Sequence, residues 1–453
     1  MLSVQTPKRR LARLSHTFFT AADDTFALTP TAPSYRFDVV PATPSPPRSP
    51  RRASGRRLVG PATNGGDKGG LAALRACLLA CVLLAASARA SDWQIHISPD
   101  DALYPVLDLS QRSGGKTGDA RFGDGSGVVA VDVVASHDGE RVDLRMTAPG
   151  LAEPARLQAT LPRAGERYTL RPRLRWNRNT LATLAAPQKV VAEFSLARGD
   201  AAPREQRREI RLHPLGEAPY YVRDGKDHVD LGWIFAAYAD PHSRVVDAIL
   251  AQVAERHPFL VLEPGTRKPA QALAAAYAIW EVLQIHGVRY ADEDPGIARG
   301  PLVWSQRVRL HDDVWRERRA NCIDGSLLLA AALERLGIRS VLLLVPRHAL
   351  LAFYTGDRNG EPIFVETTLL GARQLAVRPK PGFIGELSLI DGDALDSFSA
   401  ALVAGKARYA REASGFGQRK PDYQWIDLAA ARAYGIIPLA AAEAPTAAAA
   451  APR

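Results

Sequence analysis

The chain has 453 residues, 46% of them apolar, which is enough to bury two or three cores and excludes a wholly disordered chain. Its formal charge of +10 resembles a nucleic-acid signal, but 13 basic and 4 acidic side chains lie within residues 1–90, leaving 45 against 44 in residues 91–453. The body is therefore near neutral and offers no phosphate-tracking surface, so nucleic acid is not an expected partner.

Residues 1–70 are rich in Pro, Arg, Ser and Gly without a sustained period, as in TPSPPRSPRRASGRR, and read as a disordered basic extension. From Leu71 to Ala90 the chain reads LAALRACLLACVLLAASARA, with an apolar run over Ala76–Ala86 followed by Ala88-Arg89-Ala90. A core of about 11 residues suits a signal peptide, with cleavage after small-x-small, better than a membrane span of about 20. Export to the periplasm or beyond is expected, with a start near Lys68 giving an ordinary basic lead. An uncleaved membrane anchor and a lipoprotein site at Cys81 compete with this reading, though the apolar run continues past Cys81, against the latter. Membrane contact is expected only through this segment.

Residues 91–221 change to a period of two. Val129-Val131-Val133, Val142-Leu144-Met146, Tyr168-Leu170, Leu174-Trp176, Val190–Leu196 and Ile210–Leu212 alternate with polar residues, between turns such as His137-Asp138-Gly139. This spacing predicts an antiparallel β-sandwich, with Arg171, Arg173, Arg175 and Arg178 on a solvated strand face. Residues 222–440 open with helical stripes over Ser243–Arg256 and Ala270–Ile285, the second closed by Gly287. Trp304–Arg319 reads as a connector. His311 with Asp312 and Asp313 lacks a second ligand cluster, so no metal is expected. The glycines of GGKTGD near Gly114 have no flanking strand and helix, so no phosphate loop, and no nucleotide or flavin motif, is expected.

The chemistry concentrates in Asn321–Thr368. Ile323–Leu336 is a run of helix formers with Asn321 as N-cap and Gly337 as stop, which sets Cys322 at a helix N-terminus. Unpaired backbone N–H groups there favour thiolate and can receive a developing oxyanion. Ile338–Val345 reads as a buried strand, and Ala349–Tyr354 as a second that begins at His348. A turn over Thr355–Gly360 and a third strand over Ile363–Thr367 follow, so His348 and Glu366 fall on neighbouring strands. The carboxylate can then orient the imidazole, and the imidazole can draw the proton from Cys322, as in nucleophilic acyl transfer. Once the signal is removed, Cys322 is the single cysteine, since Cys77 and Cys81 go with it. Upstream, Gln306 and Trp304 each carry a side-chain N–H donor. Asp324 is expected to be structural, complementing the helix dipole and pairing with a base such as Arg319. Beyond this stretch the chain reads as a helix over Ala394–Glu412, a strand at Gln424–Asp427, a helix from Leu428 to Tyr434 and a disordered tail over 441–453.

Three motifs in this order, Cys322-Ile323-Asp324 before an apolar helix, Pro346-Arg347-His348-Ala349, and Glu366-Thr367-Thr368, resemble the transglutaminase-like superfamily, in its bacterial branch. The resemblance covers roughly Ala270–Arg373, with a weaker echo near Trp425–Pro438. It implies an α+β, papain-like core, here preceded by the β-sandwich. It also implies Cys322 as nucleophile, His348 as general base, Glu366 as orienting acid, Gln306 and Trp304 as candidates to share the oxyanion, and no cofactor. The expected substrate is a protein or peptide, with the cell envelope as one source, and hydrolysis and transfer to an amine are both open. The alternative is a non-catalytic peptide- or envelope-binding module that keeps this fold.

Overall fold

Apolar residues at every second position fold as strands over the first half of the chain, and those at helical spacing fold as helices over the second, so the protein is of the α+β class. The computed structural model describes residues 93–111, 120–125, 127–224, 227–265, 268–291, 296–356, 360–373, 375, 382–418 and 420–439. The extension 1–70, the segment Leu71–Ala90 with Cys77 and Cys81, the glycines near Gly114 and the tail 441–453 lie outside the described residues. Ile95–Arg453 belong to one compact unit; of the other, Ser34–Gln94, only Trp93 and Gln94 are described.

The first half contains β1 (Trp93–Ile97), β2 (Ala102–Leu103), α1 (Pro105–Leu109), β3 (Val129–Val134), β4 (Glu140–Ala148), β5 (Ala152–Leu161), β6 (Arg167–Leu170), α2 (Arg178–Thr183), β7 (Gln188–Arg198) and β8 (Arg204–Leu212). One sheet has the order β2-β8-β7-β4-β5, antiparallel except where β2 joins β8, while β3 pairs with β6 in another. Register sets Leu144 against Leu196 and Met146 against Phe194, all four buried, so one sheet face is apolar. The arginines at 171–178 do not form the strand face that alternation suggests. Arg171 joins Gly123 in an isolated bridge outside the named strands, Arg178 opens α2, and Arg173 and Arg175 lie outside any strand. Pro172 within this run has no N–H to give a ladder.

The second half begins with β9 (Glu217–Asp224), which runs through position 221, and β10 (Asp227–Asp230). Then come α3 (Arg244–Arg256), α4 (Pro269–His286), β11 (Arg289–Tyr290), β12 (Ile297–Arg299), β13 (Val303–Arg307), α5 (His311–Glu317), β14 (Arg319–Ala320) and α6 (Cys322–Arg335). The chain continues through β15 (Ser340–Val345), β16 (His348–Phe353), β17 (Ile363–Val365), α7 (Gly392–Glu412), β18 (Gln424–Asp427) and α8 (Leu428–Ala433). The stretch expected as a connector thus holds a strand, a helix and a two-residue strand. Two four-stranded sheets result, β10-β9-β13-β12 and β17-β16-β15-β18.

The second of these sheets is antiparallel throughout and covered on both faces. Val341, Leu343, Val345, Leu350, Ala352 and Phe364 form a buried cluster with Phe416, against which Tyr409, Tyr423 and Trp425 pack. Strand alternation turns Leu342 and Leu344 to the opposite face, where α6 packs on β15 and β16. Helix α6 is buried from Ile323 to Leu333. Its leucines 327, 328, 329 and 333 are at most 1% exposed, worth on the order of 6–12 kcal/mol in apolar burial, against about 1 kcal/mol for its N-cap. Packing, more than propensity, therefore decides where Cys322 stands.

Helix α7 closes the sheet at its β17 edge through Gly405. A Cβ there would lie 2.6 Å from the backbone carbonyl of Phe364 and 2.8 Å from the Val365 nitrogen, neither of which can swing aside. Four residues earlier in the same helix, the Ala401 carbonyl accepts the Glu366 N–H at 3.0 Å. Gly405→Ala is expected to cost about 1–3 kcal/mol through overpacking, read as a lowered Tm, and to weaken protection of the Glu366 amide in hydrogen exchange; an unchanged Tm would show that α7 shifts without strain.

Candidate active site

The helix start is built by reciprocal capping. Asn321 Oδ1 accepts from the N–H groups of Ile323 (3.0 Å) and Asp324 (2.9 Å), and Asp324 Oδ2 accepts from the Asn321 N–H at 3.1 Å. The cap therefore consumes two of the N–H groups that the sequence offered to an oxyanion, and the Cys322 N–H is not among them. Asp324 is structural, as expected, but its basic partner is Arg309 and not Arg319. Its Oδ1 accepts from the Arg309 N–H at 2.8 Å and its Oδ2 lies 3.1 Å from Arg309 Nη1. The distinction follows from topology: Arg319 sits on β14, paired with Arg289 of β11, whereas Arg309 precedes α5 and reaches across to the first turn of α6. Burial raises the Asp324 pKa, against the hydrogen bonds from Arg309 and Asn321.

His348 is the first residue of β16, paired with Val345 across a two-residue hairpin. Glu366 lies one residue past β17, where it is not a strand residue but the N-cap of a single 3-10 turn over Thr367–Leu369. The strand ends there because the carboxylate turns back on its own chain, accepting from Thr368 Oγ1 at 2.7 Å and from the Thr368 N–H at 3.3 Å. Register sets Leu351 opposite Val365, so His348 and Glu366 stand at the same end of the two strands. His348 Nε2 lies 3.0 Å from Glu366 Oε1 and 2.9 Å from Oε2, with both side chains nearly buried. Arg408 Nε, from α7, is 4.0 Å from the same carboxylate.

Cys322 is partly exposed, lines the same cleft as His348, and interacts with that ring closely enough to shift its titration. The structure thus brings Cys322, His348 and Glu366 together. Burial works to lower the His348 pKa, but hydrogen bonds with Cys322 and Glu366, and the negative charges of both, outweigh it and raise the value to about 9. Burial works to raise that of Glu366, yet its hydrogen bond with His348 and the charge of that ring, helped by Thr368, hold the carboxyl below its usual range.

A further contact joins the two halves of the site and went unassigned in the sequence. Thr367 Oγ1 donates to the Cys322 carbonyl at 3.0 Å, and Ser326 Oγ donates to the same oxygen at 2.7 Å, with the two hydroxyls 3.0 Å apart. This triangle ties the first turn of α6 to the residue following Glu366. Its signal was present: Ser326 lies one helical turn beyond Cys322, and Thr367 follows the acid directly.

Cys322 and His348 line a cleft enclosing about 400 Å³, solvent-accessible space included, walled also by Tyr220, Phe235, Ile297, Leu344 and Gln306, while Glu366 lies behind His348 and off the wall. Gln306 is buried on this wall, its Nε2 donating to the Arg307 carbonyl at 2.8 Å. Trp304, two residues earlier on β13, is not on the wall. Its ring lies 4.9 Å from that of Tyr221 and beneath the Arg299 guanidinium at 4.7 Å, so packing holds it away from the sulfur. His311 heads α5 and is buried, its Nδ1 3.0 Å from Ser243 Oγ, and burial lowers its pKa to about 4. Among the described residues no group of three or more His, Cys, Asp or Glu side chains is arranged to hold a metal ion, and no helix is long and apolar enough to cross a membrane.

Compared with known proteins, the chain matches no family model, no curated protein and no solved structure.

The two shifted pKa values fix a sign for pH dependence. His348, raised from 6.5 to about 9, contributes stability that is fully present below pH 6.5 and lost as pH rises through 9. Glu366, lowered from 4.5, contributes above pH 4.5 and loses its share as pH falls through its folded value. The stability difference between the wild type and His348→Ala is therefore expected to be greatest between pH 4.5 and 6.5, at about 1–3 kcal/mol, and to shrink by pH 9.5. Denaturant titrations of both proteins across that range check it, and a difference that grows with pH would contradict the assigned contacts.

Proposed function

We propose that this protein is a transglutaminase-like thiol enzyme that cleaves or transfers the acyl group of a peptide or amide substrate. The observation that carries the reading is the bidentate approach of Glu366 to His348 Nε2, with Cys322, at the start of a buried helix, interacting with the same ring. With Nε2 committed to the carboxylate, Nδ1 is the nitrogen that serves the sulfur. Cys322, Gln306 and His348 share one cleft, a placement that supports the same reading.

In this mechanism Cys322 Sγ attacks the substrate carbonyl carbon, and the carbonyl oxygen becomes an oxyanion facing the Cys322 N–H and the Gln306 amide. Collapse breaks the C–N bond, and protonated His348 gives its proton to the departing amine. The resulting thioester is then attacked by water, or by an amine, which loses its proton to His348 as the sulfur leaves. Glu366 holds the ring orientation and stabilises its charge through both steps without itself taking the proton. Asp324 takes no part, since its carboxylate is spent on the cap and on Arg309. The signal-like segment Leu71–Ala90 supports export, where a peptide or cell-envelope substrate would be met.

A chromogenic peptide amide and a thiol-directed probe test this together. The probe should label Cys322 in the wild type at pH 6, as mapped by peptide mass. His348→Ala should slow labelling at least about tenfold and lower amide turnover by about 10²- to 10⁴-fold, and Glu366→Gln should have a smaller effect in the same direction. Labelling that is indifferent to His348→Ala would set the enzymatic reading aside in favour of a binding module.

A further inference from the structure

Two charged side chains other than His348 stand on the wall of the cleft, Arg347 and Asp422, and the structure treats them differently. Asp422 Oδ1 is 2.5 Å from Arg299 Nη2, so its charge is compensated within the fold. Arg347 is exposed and makes no hydrogen bond or ion pair among the described residues. The cleft beside the sulfur therefore carries one uncompensated cation.

The backbone at Arg347 makes that cation more telling. Val345 and His348 pair, leaving Pro346 and Arg347 as a two-residue loop, and Arg347 adopts φ 61°. Proline suits the first loop position, while the second, with positive φ, is one that Gly or Asn fills with least strain. A branched-at-nothing but Cβ-bearing residue there costs roughly 1–2 kcal/mol, and no contact of the guanidinium inside the described fold offsets it. A strained backbone carrying a charge that has no partner among the described residues, on the wall of a cleft, points to a ligand.

We infer that Arg347 receives a carboxylate of the substrate, so that the cleft selects acidic peptides or amides over neutral and basic ones. The inference rests on the thiol-enzyme reading above and deepens it by naming the substrate's charge. Tyr220, Phe235, Ile297 and Leu344 supply apolar wall for the body of such a substrate. Because Arg347 is adjacent in sequence to His348, the carboxylate it holds lies close to the carbonyl under attack. The recognised group is therefore on a residue at, or next to, the scissile bond.

Iodoacetate and iodoacetamide test this without a known substrate. Both react with the thiolate of Cys322 by forming an S–C bond and expelling iodide, and they differ in one charge. The ratio of their rates in a single protein cancels any change in thiol reactivity; mass mapping confines the reading to Cys322 in the full chain. The ratio of iodoacetate to iodoacetamide is expected to fall about three- to fivefold in Arg347→Gln and in Arg347→Gly, and the wild-type ratio to fall as salt is raised from 20 mM to 1 M. Arg347→Gly keeps positive φ without strain, so a misfolded Arg347→Gln does not spoil the comparison. Equal ratios in the wild type and Arg347→Gly, with Cys322 still alkylated, would overturn the assignment and leave the thiol reading standing. If neither reagent alkylates Cys322 in the folded wild type while the unfolded chain reacts, both fall together.

Discussion

Burial of α6 on nearly every side is the constraint from which the site follows. A helix with one apolar face could rotate or slide on its sheet, but one buried from Ile323 to Leu333 is held by the sheet strands β15 and β16 and by α3 and α4. Its N-terminus is thereby placed near the start of β16, where Cys322 and His348 line one cleft. Three smaller devices then fix the register between helix and sheet. The Asn321 and Asp324 cap sets the first turn, Arg309 ties that turn to the chain before α5, and the Thr367 hydroxyl binds the Cys322 carbonyl. Each is worth about 1 kcal/mol, small against the burial of the helix, yet together they decide orientation within ångströms.

The electrostatics show why two acids near one thiol need not oppose each other. A carboxylate facing a sulfur disfavours thiolate, and Asp324 is only two residues from Cys322. Both its oxygens, however, accept backbone N–H groups, and one also faces Arg309, so its charge is neutralised locally. Glu366 hydrogen-bonds the ring of His348, and there its charge works the other way. It raises the proton affinity of the ring and so keeps a positive charge beside Cys322. Placement, and not residue type, assigns one acid to the scaffold and the other to the imidazole.

Much of this was legible in residues 321–368, because each element announces itself locally. Asn321 caps, Gly337 takes φ 74° and stops the helix, and the apolar run before Pro346 is the strand β15. Helices α3, α4 and α7 began and ended within two residues of their expected bounds, since Ser243 and Asp391 cap two of them and Gly287 ends the third. What the sequence hid were contacts between segments far apart. The choice of Arg309 over Arg319 needs the path of β14, and the departure of Trp304 from the cleft needs the pairing of β13 with β9. Glu366 reads as a strand residue because Ile363–Val365 precedes it, but the affinity of its carboxylate for the Thr368 hydroxyl and N–H turns the chain. The stretch 303–320 reads as a connector because its strands are five and two residues long and its helix seven, too short for periodicity to rise above the charged residues among them.

The hairpin between β15 and β16 carries two opposing demands in four residues. Val345 is fully engaged in the sheet and its cluster, which anchors the loop, while His348 must stand at the sheet's edge with its ring free to meet both sulfur and acid. A two-residue loop is the shortest way to reverse the chain and keeps His348 opposite a buried partner, so the imidazole inherits the rigidity of the core. The same shortness forces one loop residue into positive φ. That residue is Arg347, so rigidity in the His348 ring and backbone strain beneath the guanidinium have a common origin in the length of one turn. Glycine would satisfy the turn alone; arginine adds a cation at the mouth of the cleft, beside the ring that holds the proton.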